Sequence, residues 1–192
     1  MPLGVDLSFA SAPSDWSHDG HFLLYTDLQE TNALHLWVFP MIGDRKSYRL
    51  LSGPAADLEG QFSPDGNWVA YSSNESGRWE VYVASFSGSR AKYQVSTVGG
   101  QQPRWRRDGR ELFFLAPDRT LMASSVKPGS TLQFNTPASL FQTASHEPIT
   151  AEEFFTYDAS ADGKRFLINA DAEEPGPHTV DIVLNWISTL KH

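Results

Sequence analysis

Gly60-Gln61-Phe62-Ser63-Pro64-Asp65-Gly66-Asn67-Trp68-Val69-Ala70-Tyr71 contains the unit from which the rest of the chain is built. Phe62 closes one strand. Pro64 pre-sets φ for a tight turn, and Gly66 supplies the positive φ that the turn needs to reverse the chain. The apolar triplet Val69-Ala70-Tyr71 is then a second strand. Ser73-Asn74-Glu75-Ser76-Gly77 is rich in turn formers. Trp79 to Phe86 is dense in β-branched and aromatic residues and reads as a third strand.

The same pattern recurs outward in both directions. Asp-Gly pairs stand at Asp19-Gly20, Asp65-Gly66, Asp108-Gly109 and Asp162-Gly163, with spacings of 46, 43 and 54 residues. Trp16, Phe62 and Trp105 each lie four residues before their glycine, and Ala159 takes that place in the last copy. After each glycine comes an apolar triplet: Leu23-Leu24-Tyr25, Val69-Ala70-Tyr71, Leu112-Phe113-Phe114 and Phe166-Leu167-Ile168. These triplets are apolar at consecutive positions, so both faces of the second strands should be buried, as in sheets stacked face to face. A four-stranded unit of about 40–45 residues is the period of a β-propeller blade. The sequence therefore predicts an all-β chain, a β-propeller of four four-stranded blades over residues 13–57, 58–99, 100–145 and 150–190. It is either partial or completed by oligomerisation. The one helical candidate is a short turn at residues 185–190. The fourth copy has no outer strand of its own, and residues 3–9 are the candidate to supply it.

Composition narrows the function classes. The 192 residues are 40% hydrophobic and include 6 Trp, 12 Phe and 6 Tyr, which excludes a disordered chain. With no Cys there is no disulfide scaffold, iron–sulfur cluster or thiol nucleophile. A net charge of −8 argues against nucleic acid or an anionic membrane surface as partner. No apolar run approaches the roughly 18 residues of a membrane span, and the N-terminal residues lack a signal-peptide pattern, so no direct membrane insertion is expected.

The segments Phe62-Ser63-Pro64-Asp65-Gly66, Gln102-Pro103-Arg104-Trp105-Arg106-Arg107-Asp108-Gly109 and Ser160-Ala161-Asp162-Gly163-Lys164-Arg165-Phe166 resemble TolB-like, WD-repeat-like propellers. They are most similar to the C-terminal propeller segments of bacterial transmembrane serine/threonine protein kinases, as is the ending Val183-Leu184-Asn185-Trp186. The resemblance covers the chain from about residue 13 onward. It implies a ligand-sensing or scaffolding part, outside the cytoplasm in a membrane-spanning parent. The kinase motifs are themselves absent: there is no Gly-rich loop, no H-R-D and no D-F-G.

Candidate chemistry is sparse. The histidines at 18, 21, 35, 146, 178 and 192 form no metal-like pair apart from His18 and His21 flanking a turn, so no metal and no cofactor are expected. Glu152-Glu153 and Glu173-Glu174 read as solvated loop residues. The aspartate of each Asp-Gly reads as a side chain bonding its own turn. No G-x-S-x-G elbow occurs. Arg104, Arg106, Arg107 and Arg110 gather around Trp105, which is either a stacking platform or a core aromatic like Trp16 and Phe62. Gln61, Gln102 and Arg104, with Trp105 and Arg106, are the expected ligand contacts, because residues entering the first strand of a radial blade line the channel mouth. The expected function is a non-enzymatic binding module whose partner is a protein, peptide or small molecule, with a homo-oligomer as one way to close the ring. The alternative is a propeller lyase or hydrolase with a metal or acid/base site at the mouth.

Overall fold

A computed structural model describes residues 11–27, 34–86, 91–127, 131–145 and 155–170, and the backbone of strand 180–184. The proposed outer strand at 3–9 and the turn at 185–190 lie outside the described residues. Every regular element among the described residues is a β-strand. The first blade is β1 (Ser11–Trp16), β2 (Phe22–Asp27), β3 (His35–Pro40) and β4 (Tyr48–Arg49). The second is β5 (Asp57–Phe62), β6 (Trp68–Ser73), β7 (Glu80–Ser85) and β8 (Lys92–Gln94). In the third, β9 (Gln101–Trp105), β10 (Glu111–Leu115) and β11 (Thr120–Lys127) are followed by two short strands, β12 (Gln133–Phe134) and β13 (Ala138–Gln142), which both pair with β11. The fourth has three described strands, β14 (Tyr157–Ala159), β15 (Arg165–Asn169) and β16 (Val180–Leu184). Each sheet is an antiparallel meander in chain order, apart from β13, which returns to pair with β11.

The Asp-Gly turns are built alike. Ser63 Oγ accepts the N–H of Trp68 at 3.0 Å and donates to the carboxylate of Asp65, while Gly66 sits at φ 70°. Ser17 with Asp19, and Ser160 with Asp162, repeat the arrangement. In the third blade Arg106 stands where the serine would be and grips both Asp108, at 2.7 and 2.8 Å, and Glu111, at 2.5 Å. These carboxylates are occupied with their own turns. Asp19 and Asp162 are held below the usual carboxylate range by the adjacent serine hydroxyl, and Asp108 by Arg106.

Stacking of sheet on sheet makes the core. Leu24 and Val38 of the first blade meet Phe62 and Val69 of the second. Phe86 stands edge-on to both Phe22 and Phe62, with ring centres 5.0 and 4.9 Å away. Gly60 lets the second blade approach, because a Cβ there would lie 3.1 Å from the Leu36 methyls. Trp68, Val81 and Val83 of the second blade meet Trp105, Leu112 and Phe114 of the third. Phe113, Leu115 and Leu121 meet Tyr157, Phe166 and Ile168 of the fourth. No such cluster joins the first blade to the fourth among the described residues, which stack in chain order as an arc.

Two expectations fail at the ends of the arc, for one reason. Each first-strand aromatic packs into the joint with the preceding blade: Phe62 is 5% exposed and Trp105 8%, but Trp16 is 52% exposed. Trp16 has no preceding blade among the described residues. The second strand of the last blade likewise alternates, with Phe166 and Ile168 buried against the third blade and Leu167 exposed on the opposite face. Two-sided burial needs a neighbour on both sides.

This difference yields a measurable contrast at a single repeat position. Trp105→Ala should lower unfolding stability by about 3–5 kcal/mol, as for large aromatic deletions in cores. Trp16→Ala should cost no more than half as much. Urea denaturation of the two variants beside the parent chain measures both.

Candidate functional site

The first strands β1, β5, β9 and β14 follow one another along the inside of the arc, and their polar side chains make two ladders from blade to blade. In the first ladder, the residue five before each Asp-Gly glycine reaches forward. Asp15 Oδ2 accepts the N–H of Phe62 at 2.7 Å, and Gln61 Oε1 accepts the N–H of Trp105 at 2.6 Å. The next residue in this series is Arg104, which has no acceptor. It forms an ion pair with Asp158 instead, Nε to Oδ1 at 3.8 Å, and the N–H of Ala159 turns to Asp158 itself at 2.9 Å.

The second ladder lies two residues earlier. Glu59 Oε2 accepts the N–H of Gln102 at 2.7 Å and the hydroxyl of Ser72 at 2.5 Å. Gln102 Oε1 in turn accepts the N–H and hydroxyl of Thr156, at 2.8 and 3.0 Å, and the hydroxyl of Tyr157 donates to the Gln102 carbonyl at 2.9 Å. Glu59 and Gln102 both hold left-handed backbone, φ 58° and 55°, at bulges in their strands. That conformation costs about 1–3 kcal/mol in a residue other than glycine and persists only where surroundings enforce it. Here it turns each side chain toward the next blade.

Arg104 is the cation at the centre of this cluster. Its guanidinium lies over the ring of Phe155, 3.7 Å from the centre, and its side chain is 16% exposed. Three acids from three other strands feel its charge: Asp15, Glu59 and, through the ion pair, Asp158. Burial pushes Glu59 up to about 7, against the opposing pull of the Ser72 hydroxyl, the Gln102 N–H and Arg104. Burial also raises Asp15, opposed by the N–H groups of Phe62 and Trp16 and by Arg104. The Tyr157 hydroxyl is raised well above its ordinary value, chiefly by burial, and stays protonated as a donor.

Gln61, Gln102 and Arg104 therefore stand together on the inner strands. Gln61 and Arg104 are partly exposed, whereas Gln102 is fully buried with its carbonyl oxygen engaged. Trp105 is a core residue of the joint between the second and third blades, and Arg106 belongs to the turn. Sequence reading missed Glu59, Asp15, Asp158 and Thr156. Aligning the copies on their glycines would have marked the column five residues before each glycine, which is polar in all four copies, and the column seven before, which is polar in three. No group of three or more His, Asp or Glu side chains is placed to hold a metal ion among the described residues. Separately, a cleft of about 380 Å³ opens between the first and second blades, reaching the start of β5. It is lined by Asp57, Tyr71 and the Glu75–Lys92 ion pair.

No protein-family model matches this chain, and no curated protein matches it either. Solved structures do. TolB from Acinetobacter baumannii superposes with a TM-score of 0.63 at 18% identity, covering 91% of this chain and 40% of that one. A puromycin hydrolase gives 0.55 at 17%, covering 86% and 26%. The β-propeller domain of the Trilobed protease from Pyrococcus furiosus, described as having an open velcro topology, gives 0.52 at 14%, covering 90% and 54%. The fold is a β-propeller, in part. The chain spans between about a quarter and about half of these proteins, and a fold shared by TolB and a hydrolase assigns no activity.

The second ladder can be tested directly. Gln102→Leu keeps the shape but leaves the buried N–H of Thr156 without an acceptor, which should cost about 1–3 kcal/mol. Hydrogen exchange should quicken at Thr156. An unchanged exchange rate there would remove Gln102 from the joint.

Proposed function

We propose that this chain is a non-enzymatic binding module, a TolB-like partial propeller that holds a protein, peptide or small-molecule partner at its inner rim. The observation that carries this reading is the employment of the inner polar side chains. Asp15, Gln61, Glu59 and Gln102 are acceptors for backbone N–H groups of the next blade. They are structural fixtures, and no nucleophile is paired with a base among them. What is left is Arg104, a partly exposed guanidinium held by a loose pairing to an exposed Asp158 and by the ring of Phe155. Such a guanidinium, resting on Phe155, suits a carboxylate or carbonyl group on a partner.

In this reading Arg104 touches the partner, and the partly exposed Gln61 and Arg106 flank it while holding the next blade and the turn. Gln102 and Trp105 stand behind them and fix the strand that carries Arg104. Coverage of 40% of TolB agrees with the chain being part of a larger propeller, the TolB-like segment of a sensor or scaffold. A second copy packing on Trp16 is the other way of covering that end of the arc.

A thermal-shift screen of peptides, sugars, carboxylates and metal ions tests the proposal. A binder should raise the midpoint by several degrees through its preference for the folded state, and Arg104→Gln should abolish most of that rise. Turnover of an ester or peptide substrate by the purified chain, lost on substitution of an inner-rim residue, would replace this reading with an enzymatic one.

A further inference from the structure

The two joints of the second ladder differ in one atom pair that the architecture does not require. At the joint between the third and fourth blades, the neutral amide of Gln102 accepts the next blade's N–H from left-handed backbone at φ 55°. At the joint between the second and third, a carboxyl does the same task from the same backbone, Glu59 at φ 58°. Glu59 is 1% exposed. A glutamine demonstrably serves at this repeat position, so an acid buried there is a choice with a cost, since an ionised carboxylate must give up its water.

We propose that Glu59 is a proton-operated latch between the second and third blades, tight while its carboxyl is protonated and strained once it ionises. Burial of the carboxyl sets the direction, and the donors and the cation around it oppose burial without overcoming it. From β6 it receives the Ser72 hydroxyl, and from β9 the Gln102 N–H and the charge of Arg104. From β14 come the Tyr157 hydroxyl, within electrostatic reach, and Asp158, which holds Arg104. Asp15 on β1 competes for the same guanidinium. One cation is shared among three acids. Ionised Glu59 pulls Arg104 away from Asp158, or draws water into the joint.

The titration of Glu59 falls near neutrality, at about 7. A carboxyl raised above its unfolded value stabilises the fold fully at low pH, and that stability is lost as pH climbs from the ordinary carboxylate range through about 7. Asp15 and Asp57 are raised in the same sense, so only the difference from a Glu59 variant isolates the latch.

The test compares the parent chain with Glu59→Gln, which copies the neighbouring joint, by urea unfolding between mildly acidic and mildly alkaline pH. The parent should lose up to about two orders of magnitude in its folding equilibrium constant across this range, and Glu59→Gln should flatten most of that loss. Hydrogen exchange at Gln102, corrected for the intrinsic rate, should quicken above neutrality in the parent alone. Should the variant fail to fold, carbon-13 titration of the Glu59 carboxyl in the parent and in Arg104→Gln decides the matter. A midpoint near 7 that rises in Arg104→Gln supports the latch. A midpoint in the ordinary carboxylate range, or equal pH slopes in parent and Glu59→Gln, overturns it.

Discussion

Buried backbone N–H groups at the inner edges of the blades must find acceptors, and side chains of the preceding blade supply them. The rest of the arrangement follows from this requirement. Sheets stacked face to face hold together by apolar contact, which is strong but indifferent to a slide of one sheet over the next. The bonds from Asp15 to Phe62, Gln61 to Trp105, Glu59 to Gln102 and Gln102 to Thr156 remove that indifference. Each contributes a modest net energy, yet leaving any one unmade exposes the full cost of a dry, unpaired amide. Hydrophobic stacking sets the strength of the joints and these bonds set their register.

The repeated turn and the apolar triplets made the architecture legible from residues alone. Ser-Pro-Asp-Gly near residue 65 prescribes a particular backbone path, and consecutive apolar residues prescribe burial on both faces. Both signals are local, so they survive in a single sequence. Trp16 and Leu167 were misread because burial of a blade's outer face depends on whether another blade lies beyond it. Nothing in the residues of a repeat says that it stands at an end.

The inner-rim cluster was only half legible. Gln61, Gln102 and Arg104 were noticed as polar residues entering the first strands. Their partners were hidden: Glu59 bonds 43 positions away and Gln102 bonds 54 positions away. A polar residue that serves its neighbour's backbone looks the same in sequence as one that serves a ligand. Left-handed backbone at Glu59 and Gln102 had no sequence signature either, since neither residue type favours it. Arg104 stands apart because a guanidinium cannot accept a hydrogen bond. The first ladder breaks at that point, and the break places a charged group at the rim that pairs with Asp158 instead.

Apart from the step from Arg104 to Asp158, both ladders run one way, with acceptors on the earlier blade and donors on the later one. A blade is thus polarised, with an offering side and a receiving side, and blades are not interchangeable bricks. Transplanting the third blade elsewhere in the arc would bring a guanidinium to a place where an oxygen is needed, unless the blade after it carried its own carboxylate as Asp158 does. Any rearranged, duplicated or permuted version of this chain inherits that ordering rule along with the stacking of its sheets.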